Sequence, residues 1–91
     1  MKNFFIIISE YSTENKAIST VRNRLEKGLK ERGASVGIHE GYLDREFKIP
    51  EETECVITIG GDGTMLRASR AALDRNVVFL GVNRGHMGYL T

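Results

Sequence analysis

Residues 55–64 read CVITIGGDGT, a short apolar run that passes directly into a glycine-rich turn. An uninterrupted apolar segment of this length predicts a buried strand. Apolar side chains then recur on one face of a helix that begins near Thr64 and continues to about residue 73. A strand, a glycine turn and a helix in this order are typical of an α/β fold. In such folds ligands bind beyond the carboxyl ends of parallel strands.

The segments on either side of this turn predict a long helix and three further strands. The helix begins near Glu14, repeats apolar residues every three or four positions, and ends before Gly33. Apolar or alternating runs predict the three strands at 3–9, 34–39 and 77–82. Because the strongest strands show no alternation, we expect them to be covered on both faces, as in a parallel sheet.

The element order is β-α-β, a connection and a second β-α-β, which predicts an α/β fold with a parallel sheet. The connection at 40–53 is acidic, and residues 83–91 form a glycine-punctuated tail. Two helices cover both faces of a four-stranded sheet only sparsely. We therefore expect residues 1–91 to be a single α/β domain that forms part of an incomplete enzyme.

Composition narrows the class of protein. The 91 residues are 41% hydrophobic and carry a formal net charge of +1, as expected of one globular domain. So small a charge argues against a nucleic-acid partner. The apolar run at 4–8 is too short to span a bilayer, so no membrane partner is expected. The only cysteine, Cys55, cannot form an internal disulfide, which favours a cytoplasmic location.

The turn at 60–64 has the composition of a phosphate-binding loop. Gly60, Gly61 and Gly63 can present bare backbone amides to phosphate oxygens, and Thr64 can donate its hydroxyl. The helix that follows adds N–H groups and a partial positive charge. The alternative is a tight turn that only connects a strand to a helix. The turn is not a Walker A loop, because no Gly-Lys-Ser/Thr follows it.

Asp62 sets this turn apart from a simple phosphate cradle. A carboxylate about 4 Å from a phosphate repels it by about 1–4 kcal/mol, depending on the local dielectric. Its presence therefore indicates a chemical task. It can accept a proton from an attacking hydroxyl, or it can hold a magnesium ion that screens the phosphates. Both tasks belong to phosphoryl transfer.

Residues 60–64 resemble the GGDGT motif shared by NAD kinases, diacylglycerol and sphingosine lipid kinases and, more loosely, phosphofructokinases. A second stretch at 81–90, GVNRGHMGYL, is similar to the G-x-N-x-G-x-x-G-F-L stretch of NAD kinases. Tyr89 stands where that family usually has Phe, and Met87 stands where Leu is more usual. The resemblance covers about residues 55–91 and favours the NAD kinase family.

This resemblance implies ATP-dependent transfer of a phosphate to the 2′-hydroxyl of the adenosine ribose of NAD, giving NADP. ATP would be the donor, with Mg²⁺ or another divalent cation. Asp62 matches the family's general base, and Gly60, Gly61, Gly63 and Thr64 match its phosphate-binding turn. In the second stretch, the residues that match cofactor-binding positions are Asn83, Gly85, Gly88 and Tyr89. Tyr89 keeps an aromatic face for the adenine, whereas Asn83 can equally hold the turn backbone. No residue cluster predicts a structural metal site.

The resemblance also implies a phosphofructokinase-like N-terminal domain of a two-domain kinase, with the second, β-rich domain absent from these residues. That second domain carries an Asn-Glu/Asp motif for the ribose and nicotinamide of NAD. The 91 residues alone are therefore expected to be inactive. Family members generally assemble as homo-oligomers, either dimers or tetramers. Two alternatives stay open: a diacylglycerol- or sphingosine-type lipid kinase, against which residues 81–90 argue, and a non-catalytic nucleotide-binding module, against which Asp62 argues.

Overall fold

The computed structural model describes residues 1–8, 16–44, 46–83 and 86–90, with the side chains of Asn83 and residues 86–90 outside the description. Within these ranges the chain forms two helices and five strands. In chain order they are β1 (Asn3–Ile8), α1 (Lys16–Glu31), β2 (Ser35–Glu40), β3 (Cys55–Ile59), α2 (Asp62–Ala71), β4 (Val78–Asn83) and β5 (His86–Leu90).

The strands form one sheet in the order β2-β1-β3-β4-β5. The first four strands are parallel, which confirms the predicted α/β fold with a parallel sheet. The sequence predicts a glycine-punctuated tail at 83–91, and this is wrong for residues 86–90, which pair antiparallel with β4. Gly88 lies opposite Gly81 in this pairing, so its centre lacks the side chains that mark a strand in the sequence.

The two helices cover opposite faces of the sheet. On one face α1 packs Ile18, Val21, Leu25 and Leu29 against a cluster that includes Ile6, Ile8, Ile57 and Ile59. On the other face α2 contributes Ala68, next to Ala72, to a cluster that includes Phe5, Ile7, Val56 and Phe79. Both faces of β1 and β3 are therefore buried, and this explains why their sequences lack alternation.

α2 begins at Asp62, two residues earlier than the start predicted near Thr64. Gly60 turns the chain directly after β3 with a φ of 152°, a backbone conformation that is strained for residues with a side chain. Gly61 caps the helix, and its carbonyl accepts the Met65 amide at 3.2 Å. Asp62 consequently belongs to the first helical turn rather than to a loop.

The acidic connection between β2 and β3 is packed against the α2 face of the sheet. Leu43 and Ile49 are buried in the core there. Arg75, just after α2, donates to the carbonyl oxygens of Ile49, Pro50 and Glu51 at 2.6, 2.7 and 3.0 Å. This one guanidinium fixes the last part of the connection to the end of the helix.

At the opposite end of the sheet, where the parallel strands begin, Glu54 connects β1, β3 and β4. Its carboxylate accepts the backbone amides of Lys2 and Asn3 at 2.8 and 3.1 Å. Its own carbonyl accepts the amide of Val78 at 2.9 Å, at the start of β4. The two amide donors, first Lys2 and then Asn3, hold the pKa of Glu54 below its ordinary value.

Candidate active site

The glycine turn lies at the carboxyl end of β3, beside the carboxyl end of β4. Ile59 is in register with Val82, and the Gly60 amide donates to the Val82 carbonyl at 3.0 Å. The glycine turn at 60–64 and the stretch that begins at residue 81 thus meet at the carboxyl ends of β3 and β4. This is the edge where α/β proteins bind their ligands.

The two glycines before the helix differ in what they contribute. Gly60 has the positive φ that the turn requires. Gly61 has φ −90° and ψ −177°, values that any residue can adopt. A Cβ added at Gly61 would meet no atom within 4 Å among the described residues. The fold itself does not require a glycine there, so its effect is to leave the backbone open to close approach by a ligand.

The first turn of α2 contains the remaining predicted residues of the turn. Asp62 and Gly63 are exposed, whereas the side chain of Thr64 is only 9% exposed, so little of it is open to a ligand. The first amides of a helix have no partner within the helix, and with the helix dipole they favour an anion. The same dipole favours the carboxylate of Asp62. The site therefore places a carboxylate, which can accept a proton, beside a helix end that favours anions.

Arg67 is a residue near the turn that the sequence reasoning did not place there. A Cβ added at Gly63 would lie 3.3 Å from Nη1 of Arg67, so the guanidinium extends over the first turn of α2. This direction is usual, since helical side chains point toward the N-terminus and cover the preceding turn. The four-residue spacing between Gly63 and Arg67 is the sequence signal that would have identified it.

A cavity of about 360 Å³ opens along the same flank of α2. It lies between the helix and the first residues of the connection, and its polar and aromatic lining is Tyr42, Asp44, Phe47, Arg67 and Arg70. Arg67 stacks over the ring of Tyr42, with its guanidinium carbon 5.1 Å from the ring centroid. The connection, which the sequence presents as an acidic linker, thus contributes an aromatic wall to this cavity.

The residues predicted in the second stretch are only partly described. Asn83 is the last residue of β4, and Gly88 and Tyr89 lie on β5, the neighbouring strand. Gly85 and the side chains of Asn83 and Tyr89 lie outside the described residues. Their contacts with a nucleotide stay predictions.

A comparison with known families bears on this arrangement. Residues 2–91 match the model of the ATP-NAD kinase N-terminal domain. The chain belongs to the NAD kinase family. It is 34% identical to the NAD kinase of Agathobacter rectalis over 95 residues, covering 99% of this chain and 33% of that protein. It is 54% identical to the NAD kinase of Lachnospira eligens over 43 residues, covering 47% of this chain and 15% of that protein.

The longer matches cover nearly all of this chain but only part of each relative. The NAD kinase of Lachnoclostridium phytofermentans is 35% identical over 95 residues, and the match covers 99% of this chain but 32% of the relative. The chain thus spans about a third of the length of the curated relatives it matches end to end. The match contains the glycine turn, the cavity beside α2 and the β4–β5 pair.

Within this NAD kinase domain the described residues contain no group of three or more His, Cys, Asp or Glu side chains that could hold a metal ion. Magnesium is commonly bound by one or two carboxylates together with substrate phosphates, and Asp62 suits that mode. Burial raises the pKa of the Cys55 thiol, which makes it a poor nucleophile. Neither described helix is long and apolar enough to cross a membrane.

Proposed function

We propose that the protein transfers the γ-phosphate of ATP to the 2′-hydroxyl of the adenosine ribose of NAD, giving NADP and ADP. The observation that carries the proposal is the hydrogen bond between the Gly60 amide and the Val82 carbonyl. This bond joins the glycine turn at 60–64 to the start of the stretch at 81–90, which is similar to that of NAD kinases. The names of the relatives, each an NAD kinase, support the same substrate.

In the proposed reaction Asp62 accepts the proton of the ribose 2′-hydroxyl. The hydroxyl oxygen forms a bond to the γ-phosphorus while the bond to the β–γ bridging oxygen breaks, and ADP leaves with that electron pair. The exposure of Asp62 at the start of α2 supports this role, because a substrate hydroxyl can approach an exposed carboxylate. The first-turn amides of α2 stabilise the negative charge on the phosphates.

The donor phosphates approach the turn over Gly61 in this proposal. The space above Gly61 is open, and a methyl group there would enter it without disturbing the backbone. Mg²⁺ or another divalent cation carried by the phosphates would screen their charge when bound. Gly61→Ala should therefore weaken ATP binding in calorimetry while the urea midpoint of unfolding is retained. Unchanged ATP affinity would contradict this path of approach.

The test of the proposed reaction is Asp62→Asn in the full-length protein. We expect NAD phosphorylation to fall by about a hundredfold or more, because general base catalysis is lost. ATP binding should be largely retained. Asp74→Asn is the matched control, because Asp74 is equally exposed but lies beyond the other end of α2. Undiminished turnover in Asp62→Asn would remove Asp62 from the mechanism.

The substrate is tested with the same protein. Phosphate transfer to diacylglycerol or sphingosine, with none to NAD, would replace the proposal by the lipid-kinase alternative. Nucleotide binding without transfer to any of these acceptors would favour a non-catalytic module. A cytoplasmic location and a homo-oligomeric assembly complete the proposal by analogy with the family. We expect the 91 residues alone to be inactive, because the family's ribose- and nicotinamide-binding motif is not among them.

A further inference from the structure

One side chain, Arg67, connects the cavity beside α2 to the glycine turn. The Arg67 guanidinium reaches Gly63 in the turn and lies over one face of the Tyr42 ring, which also lines the cavity. The cavity volume of about 360 Å³ falls within the range of small-molecule sites. A ligand that contacts the turn and extends along α2 would meet Arg67 first and the cavity next.

The charge of the cavity favours an anion. Arg67 and Arg70 are three residues apart on α2 and both line it. The ion pairs found among the described residues involve neither arginine. Among the described residues of the lining, Asp44 is the one carboxylate, and its Oδ1 already accepts the backbone amide of Glu46 at 2.9 Å. Two guanidinium groups therefore face a single, partly engaged carboxylate.

The rest of the lining favours a planar ring. Tyr42 is 61% exposed although it is a large aromatic residue, and Phe47 lies close by in the same wall. Exposed aromatic faces of this kind stack on nucleic-acid bases. Arginine forks are suited to phosphate oxygens. The same cavity thus combines the two chemistries that a nucleotide requires.

We propose that this cavity binds the base of the phosphoryl-donor nucleotide, with its phosphates at Arg67 and its ring against the face of Tyr42 that Arg67 leaves open. The assignment rests on the proposed function, in which the γ-phosphate lies at the turn. A rise of about 1.5 Å per residue puts Arg67 and Arg70 about 7.5 and 12 Å along the helix axis from Asp62. A nucleoside triphosphate is long enough to extend over that distance. The carboxylate of Asp44 can accept an exocyclic amino group of the base.

The test compares ATP with inorganic tripolyphosphate, which has the phosphates but no base. Dissociation constants are measured by titration calorimetry on the 91-residue chain and on the full-length protein, without NAD. Tyr42→Ala should weaken ATP binding about tenfold or more and leave tripolyphosphate binding within about twofold. Arg67→Ala should weaken both ligands about tenfold, because both present phosphates to it.

Two variants serve as controls. Tyr42→Phe keeps the ring and should bind ATP as the unchanged chain does. Arg24→Ala removes an equally exposed arginine from α1, on the other face of the sheet, and should leave both affinities unchanged. The unfolding midpoint of Tyr42→Ala should also be retained, because the side chain is mostly exposed.

Three outcomes would overturn the assignment: ATP affinity unaffected by Tyr42→Ala, equal weakening of ATP and tripolyphosphate in that variant, or no ATP binding by either protein. The proposed function can be contradicted independently of this assignment. If Tyr42→Ala discriminates between the two ligands as expected but the full-length protein forms no NADP, the base site stands. In that case only the proposed phosphate transfer to NAD is wrong.

Discussion

The close packing of α2 against β4 at Gly81 can be tested directly by the substitution Gly81→Ala. A Cβ at this position would overlap the Met65 methyl group and lie 3.2 Å from its sulfur. Two effects oppose each other. Alanine restricts the unfolded chain and stabilises by about 0.4–1 kcal/mol where the backbone allows it. Overpacking costs about 1–3 kcal/mol. Because the Met65 side chain can rotate in part, we expect a net loss of about 1 kcal/mol.

The decisive measurement repeats the substitution in a Met65→Ala background, where the overlapping atoms are gone. Urea unfolding of all four proteins, followed by circular dichroism, gives the coupling free energy between the two positions. We expect Gly81→Ala to be neutral or slightly stabilising in that background, with a coupling of about 1–2 kcal/mol. An equal loss of stability in both backgrounds would refute the overlap with Met65 as the cause.

Three further predictions concern the turn, the connection and the amino-terminal edge of the sheet. Gly60→Ala should lower the free energy of unfolding by about 1–3 kcal/mol in urea titrations, because a φ of 152° is strained for alanine; an unchanged midpoint would contradict this. Arg75→Leu should cost about 2 kcal/mol and speed limited proteolysis of the connection, since it removes the donor to three carbonyls; wild-type resistance to protease would count against it. The pKa of Glu54 is lowered in the folded chain, so its stabilisation is complete above its ordinary value of 4.5 and is lost as the pH falls through the folded value. Glu54→Gln should therefore flatten the loss of stability as the pH falls below about 4.5, and an unaltered acid profile would exclude this role.

Local patterns were sufficient to predict the parts of the fold that bury long apolar faces. The periodic apolar residues of α1 fit only a helix, and the uninterrupted apolar run of β3 fits a buried strand. The type and order of the elements therefore followed from the sequence. The position of the turn at the carboxyl end of β3 followed as well, because it depends only on what precedes and follows it. The predicted start of α2 is wrong by two residues, because the low helix propensity of two adjacent glycines does not define where the helix begins.

Features that depend on distant residues were not predictable in this way. β5 exists as a strand because β4 offers it an edge, a condition that no local pattern reports. The acidic connection has no periodicity, and its position is determined by Arg75, which lies about 25 residues further along the chain. The contact between Tyr42 and Arg67 depends in turn on that position. The cavity therefore became visible only in three dimensions.

The strand order has a consequence for how the chain is made. β1 is synthesised first, yet its second neighbour in the sheet is β3, since Phe4 is in register with Cys55 and Ile8 with Ile59. Until residue 59 has been added, one edge of β1 has no partner strand, although it carries three almost fully buried isoleucines. Unpaired apolar edges are templates for association between chains. The nascent chain is thus most prone to aggregate before β3 emerges, and folding waits for a contact that is distant in sequence.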